Sequence, residues 1–105
     1  MLVTFPFSDL SLAKLLPAVV LADAGRGDWI LCQVTGNAYA DPRAVAIVDA
    51  DFQAGSLRRP SYARPGKLFT AHHDLISAEV GVLSDEAFRR VGDAVIILLE
   101  SGRVP

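Results

Sequence analysis

The sequence predicts a small β-barrel with one C-terminal helix, a mainly β chain of the α+β class. Three observations predict it. Short apolar, β-rich runs recur over residues 2–83 and are broken by Gly, Pro, Asn and Asp. Only residues 84–101 carry a clear helical repeat. The chain has 105 residues, so residues 1–105 suit a single domain.

The elements follow in order. Residues 2–7 (LVTFPF) are a β run, and Pro6 sets it at an edge or a bend because proline gives a ladder no donor. Residues 8–14 (SDLSLAK) have turn chemistry and read as a loop. Residues 17–22 form a strand, Gly25-Arg26-Gly27-Asp28 a tight turn, and residues 29–35 (WILCQVT) the second strand of a hairpin. Residues 36–42 (GNAYADP) are a loop and 43–48 (RAVAIV) a strand. A short helical turn capped by Asp51 fits residues 49–55. Two short strands, 61–64 and 67–71, flank Pro65-Gly66, and residues 80–83 add another. In the helix, Ser84 is the N-cap and Asp85 and Glu86 sit in the positive first turn. Phe88, Val91, Val95, Leu98 and Leu99 recur at steps of three and four, and Gly102 ends the helix.

Composition bounds the function. With 51% hydrophobic and 21% charged residues, the chain is globular and not disordered. A domain this small buries a modest share of its surface, which makes dimerisation a sensible way to bury more. The net charge of -2 argues against nonspecific nucleic-acid binding. Local sign differs, because between Phe52 and His73 the only formal charges are Arg58, Arg59, Arg64 and Lys67. Cys32 is the single cysteine, so no intrachain disulfide forms. No leader pattern is legible, and a reducing bacterial-type cytoplasm is the expected compartment. The apolar runs 15–22 and 94–99 are far shorter than the roughly 20 residues a membrane span needs, so no membrane association is expected.

The common catalytic motifs are absent: no phosphate-binding glycine loop, no GxSxG elbow and no HExxH. His72 and His73 are adjacent and in a strand would face opposite ways, a poor metal pair. No metal and no cofactor is expected. Cys32 lies mid-strand without a basic neighbour, where a buried structural thiol is the ordinary reading. Thr35 ends its strand and leads into Gly36-Asn37, a pair that lets backbone approach a ligand. A β-branched residue closing a strand through a local hydrogen bond is the plainer alternative. The run SLRRPSYARPGKLFTA, residues 56–71, interleaves Arg58, Arg59, Arg64 and Lys67 with Tyr62 and Phe69. Arginine suits phosphate geometry and aromatic rings stack on bases, so this is a candidate single-stranded nucleic-acid surface. A solvated charged hairpin, or a patch for an acidic protein, fits the same residues.

Several stretches together resemble one family. LVTFPFSDLSLAKLLPAVVLA is similar to the opening of the PemK/MazF-type toxins of bacterial type II toxin–antitoxin modules. WILCQVTGNAYADPRAV, SYARPGKLFTA and VGVLSDEAFRRV resemble later blocks of the PemK-like branch, in the same order and over nearly the whole chain. The family's usual Gly-Asp start of the first strand is missing here. The resemblance implies an SH3-like β-barrel of the MazF/PemK/CcdB type, working as a homodimer. It implies a metal-independent endoribonuclease, an mRNA interferase that cleaves single-stranded RNA by attack of a ribose 2′-hydroxyl on the adjacent phosphate. It also implies a cognate antitoxin protein as partner, operator DNA bound together with that antitoxin, and growth inhibition.

The resemblance carries over by position. Thr35 matches the family's catalytic threonine. The family's catalytic arginine stands directly before the proline that opens the second strand, and here Leu16 precedes Pro17. Leucine has neither charge nor proton to give. Lys14, Arg64 and Lys67 are the candidates to supply that charge. Asn37, Arg58, Arg59, Tyr62, Arg64 and Lys67 are the candidate nucleic-acid contacts. Two functions remain: an RNA-cleaving toxin, or a weakened relative that binds antitoxin, RNA or DNA.

Overall fold

The computed structural model describes residues 1–8 and 13–105, with backbone alone over 5–8 and 13–15. Its strands are β1 (Leu2–Ser8), β2 (Ala13–Gly25), β3 (Asp28–Thr35), β4 (Val45–Ile47), β5 (Phe52–Gly55), β6 (Ser61–His72) and β7 (Ala78–Leu83). They are followed by the helix α1 (Asp85–Ser101). Short 3₁₀ turns cover Asp49–Asp51 and His73–Leu75. Among the described residues these strands form one sheet in the order β4-β6-β3-β2-β1-β7-β5, and each paired neighbour is antiparallel.

The hairpin between β2 and β3 forms where its turn chemistry places it. Gly25, Arg26 and Gly27 all have positive φ, and glycine takes the two flanking positions at least cost. Asp23 Oδ1 accepts the Gly25 N–H at 2.8 Å and starts the turn.

Several boundaries differ from the sequence reading, each for a local reason. The expected loop over 8–14 is shortened from both sides, since β1 reaches Ser8 and β2 begins at Ala13; residues 9–12 lie outside the described residues. The two strands expected around Pro65-Gly66 are one strand, β6. Cys32 pairs with Leu68 and Val34 with Ala63, so residues 64–67 stand opposite Gln33 alone. Proline and glycine are absorbed in that bulge, where no regular ladder bond is needed. The strand expected over 43–48 shrinks to β4. Asp41 takes the N–H of Arg43 on its side chain and that of Ala44 on its carbonyl, which prolongs the turn. The helical turn expected over 49–55 stops at Asp51, and β5 takes the rest by pairing with β7. Asp51 does cap that turn, its Oδ2 accepting the Val48 N–H at 2.9 Å.

Apolar residues line both faces of the sheet. The larger cluster joins Leu2, Val19, Cys32, Val34, Ile47, Ala63 and Leu83 to Ala87 and Val91 of α1. The smaller one holds Val3, Ala18, Leu31 and Ala71, with Trp29 and Phe69 packed against it. Burying an aliphatic side chain contributes about 1.5–3 kcal/mol, so the helix-side cluster is the main source of stability.

Ser84 caps α1 as expected, its Oγ accepting the Ala87 N–H at 3.1 Å. The buried face, however, is Ala87, Val91 and Val95, while Phe88 and Leu99 are exposed. At 3.6 residues per turn Phe88 and Leu99 lie roughly 60–80° from Val91, on the flank. Among the described residues no helix is long and apolar enough to cross a membrane.

Candidate functional site

The site begins where the β2–β3 ladder ends. Its last pair is Ala18↔Gln33, beside Pro17, which has no N–H to give. Continuing that antiparallel register by two residues sets Leu16 opposite Thr35. A cavity of about 280 Å³ lies here, lined by Leu16, Pro17, Val34, Thr35, Gly36, Leu57, Arg59 and Ser61. Ligand pockets run from about 300 to 1,000 Å³, so this one lies at the small end of that range. Among the described residues, Arg59 is the only titratable side chain in the lining. Its described lining thus suits an anion.

Thr35 is half-buried on the last turn-facing position of β3 and pairs with Tyr62 of β6. Its Oγ1 accepts the Asn37 N–H at 3.3 Å. The local hydrogen bond of the plainer reading is therefore made, and the hydroxyl proton stays available to a ligand oxygen. Asn37 turns its side chain inward along the loop, its Oδ1 accepting the Tyr39 N–H at 2.8 Å. Its amide NH₂ remains the group able to meet a ligand.

The far wall comes from the loop between β5 and β6. Asp49 Oδ1 accepts the Ser56 hydroxyl at 2.6 Å, and Ser56 Oγ accepts the Arg58 N–H at 2.9 Å. Arg58 takes a positive φ of 69°, a left-handed conformation that costs an ordinary residue about 1 kcal/mol. Arg59 then precedes Pro60, which favours extended backbone, and the Ser61 hydroxyl donates to the Arg59 carbonyl at 3.3 Å. Arg58 and Arg59 are both exposed at the surface, but Arg59 alone of the two lines the cavity.

The other candidates are placed differently. Arg64 lies on the same strand face as Tyr62 and is already engaged. Its Nε donates to Asp41 Oδ2 at 3.2 Å, and its guanidinium carbon lies 5.4 Å from the centre of the Tyr39 ring. Arg43's backbone N–H, and then Arg64, hold the Asp41 carboxyl below its usual pKa. Lys67 is exposed at the end of the bulge, on the order of 15 Å along β6 from Tyr62, and does not line the cavity. The Lys14 side chain lies outside the described residues.

His72 and His73 do not face opposite ways, because β6 ends at His72 and His73 opens a 3₁₀ turn. Their rings stack at 4.5 Å, and with Asp74 they offer three ligand atoms within 4.8 Å. Stacked imidazoles direct their in-plane lone pairs side by side, and His72 Nδ1 already accepts the Asp74 N–H at 3.1 Å. Cys32 is fully buried with its Sγ donating to the Arg64 carbonyl at 3.2 Å, and burial pushes its pKa up to about 11.

Sequence reasoning missed Leu57 and Ser61 as wall residues, and missed the Asp49–Ser56 clamp. The clamp had a weak signal: Asp and Ser are each frequent partners of loop backbone. Asp41 falls in the expected loop over 36–42, and nothing near it in sequence points to its partner Arg64.

No family model matches the sequence, and no curated protein matches it. Solved structures do. An endoribonuclease in complex with its cognate antitoxin from a mycobacterial species superposes with a TM-score of 0.69 at 15% identity, over 98% of this chain and 95% of that one. The MazE–MazF complex of Deinococcus radiodurans gives 0.70 at 20% identity, over 94% and 92%. The toxin MazF-mt6 of Mycobacterium tuberculosis gives 0.69 at 13% identity, over 95% and 97%. These likenesses span essentially the whole of each chain, and the seven-stranded antiparallel sheet with its C-terminal helix has the MazF-like fold.

Proposed function

We propose that this chain is a metal-independent endoribonuclease that cleaves single-stranded RNA and serves as the toxin of a toxin–antitoxin pair. The observation that carries the reading is the anion-suited cavity at the end of β3, with Thr35 in its wall, on a MazF-like fold. The fold neighbours named as an endoribonuclease and as toxins support the same activity.

The chemistry balances without a cofactor. The ribose 2′-oxygen bonds to phosphorus, the bond from phosphorus to the 5′-oxygen breaks, and a 2′,3′-cyclic phosphate and a 5′-hydroxyl result. Water takes the 2′-proton and returns one to the 5′-oxygen, since among the described residues the cavity lining holds no carboxylate or imidazole. The Thr35 hydroxyl donates to a phosphate oxygen, and positive charge at the wall steadies the charge that develops there.

An antitoxin segment occupying the same cavity is the proposed inhibitor, with operator DNA bound through the pair. The toxin works in the bacterial cytoplasm as a homodimer, and sedimentation as a lone 11.2 kDa species would contradict the dimer. The test of activity is incubation with single-stranded RNA in a metal chelator. Cyclic-phosphate ends are expected from the parent and lost in Thr35→Ala. Equal yields from the two proteins would sink the reading.

Leu16 favours a second reading, a weakened relative that binds antitoxin, RNA or DNA with little cleavage. It lines the same cavity opposite Thr35, in the position where the resembling family keeps an arginine. Under this reading Leu16→Arg cleaves RNA far faster than the parent. A parent as fast as the variant removes its motive.

A further inference from the structure

We propose that Arg59 supplies the phosphate-facing charge that Leu16 lacks, reaching the scissile phosphate from the opposite wall of the Thr35 cavity. The inference rests on the RNA-cleaving reading of that cavity and names the cation that reading leaves open.

Three observations single out Arg59. Among the described residues it is the only charged side chain in the cavity's lining, and it shares that lining with Leu16 and Thr35. Among the described residues its guanidinium has no ion pair or hydrogen bond, whereas Arg64 is held by Asp41, Arg90 by Asp51 and Glu86, and Arg43 by Ser101. Its loop is also built, through the Asp49–Ser56–Arg58 hydrogen bonds, the left-handed Arg58 and the fixed φ of Pro60. A loop held in a costly conformation beside a cavity is a common mark of a working segment.

Leucine at position 16 completes the argument sterically and electrostatically. An arginine there would put a second guanidinium into a cavity of about 280 Å³ against Arg59. An uncharged side chain leaves one fork of donors to meet the phosphate, bidentate if it approaches in plane. The cation then stands on the facing loop and not on the strand, and among the described residues the cavity carries a single positive charge.

The test measures cleavage of single-stranded RNA and binding of an all-2′-deoxy oligonucleotide of the same sequence, which has no nucleophile. Arg59→Ala is expected to lower kcat by about 100-fold with a smaller change in KM, because the charge matters most as it develops on the phosphate. Arg59→Lys, which keeps charge but loses the fork, should fall between. Leu16→Arg in the Arg59→Ala background should restore much of the loss by returning a guanidinium from the other wall. Arg59→Ala should also flatten the salt dependence of oligonucleotide binding by about 0.7 in log–log slope, one phosphate contact. Circular dichroism and the urea midpoint should match the parent. If the parent cleaves and folded Arg59→Ala keeps its kcat, Arg59 is not the cation and the RNA-cleaving reading stands. If the parent yields no cyclic-phosphate ends but Arg59→Ala still loses affinity and salt slope, the cleavage reading falls and the phosphate contact stands. A parent that neither cleaves nor binds overturns both.

Discussion

Arg64 and Asp41 form a clamp across the loop that follows β3: Arg64 Nε donates to Asp41 Oδ2 at 3.2 Å, beneath the exposed ring of Tyr39. The pair removes the most conspicuous arginine of the basic run from circulation. It also leaves the Tyr39 ring facing solvent above a cation, a platform suited to a base. Asp41→Asn should release Arg64. The expected outcome is a severalfold rise in affinity for single-stranded RNA, with a log–log salt slope steeper by about 0.7 for one added phosphate contact. Arg64→Ala should show neither change. An Asp41→Asn protein with parental affinity and slope would place Arg64 away from the RNA path.

Asp51 ties the turn before β5 to the start of α1. Its Oδ2 accepts the Val48 N–H, Arg90 donates to its Oδ1 at 2.9 Å, and its carbonyl accepts the Ser84 N–H at 2.7 Å. The Val48 N–H, and then Arg90, hold its carboxyl below the ordinary value of 3.8. A depressed folded-state pKa contributes stability that is fully present above 3.8 and is lost as pH falls through the folded value. Urea midpoints should therefore be level from neutral pH to about pH 5 and should drop below about pH 4. Asp51→Asn should start lower at neutral pH, and its gap to the parent should close in acid. A gap independent of pH would mean that the carboxylate's charge plays no part.

Cys32 is expected to be inert in the folded protein. With a pKa of about 11, on the order of one thiol in ten thousand is ionised at neutral pH, and the thiolate is the reacting form. A maleimide or disulfide reagent should leave the native protein unmodified and should label it fully in denaturant. Labelling of the native protein at the rate of a free thiol would contradict the buried position between Leu31 and Gln33. Cys32→Ala should cost about 1–3 kcal/mol, combining the lost contact volume with an unpaired Arg64 carbonyl.

What could be read from the sequence was what neighbouring residues decide. Ser84, Asp85 and Glu86 announce the helix start, and Gly25 to Asp28 announce the hairpin, because caps and turns are set within a few positions. β5 could not be read, since its strand character comes from pairing Phe52 with Leu83 far along the chain. Thr35 at a strand end and Leu16 before Pro17 could be singled out by position. Their meeting in one cavity depends on the β2–β3 register. The arginines were legible as a basic run, but not which of them is free. That choice turns on Asp41, which reaches Arg64 across 23 positions, and no such partner reaches Arg59 among the described residues.

The loop that carries Arg59 offers a graded prediction. Ser56 Oγ does two jobs, donating to Asp49 Oδ1 at 2.6 Å and accepting the Arg58 N–H at 2.9 Å. Ser56→Ala removes both bonds. Asp49→Asn removes only the charge on the first, because the serine still accepts from Arg58 and an amide oxygen still accepts from the serine. All of these groups are exposed, so water replaces what is lost and the global cost should stay near about 0.5–1 kcal/mol. The local cost should be larger, because Arg58 holds a positive φ of 69° that its neighbours must sustain. Amide exchange at Arg58 should quicken by about tenfold or more in Ser56→Ala and less in Asp49→Asn, with core amides such as Leu31 unchanged. RNA cleavage should fall in the same order. Equal exchange at Arg58 in parent and Ser56→Ala would mean that the loop holds its shape without the clamp, through Pro60 and the β5–β7 pairing alone.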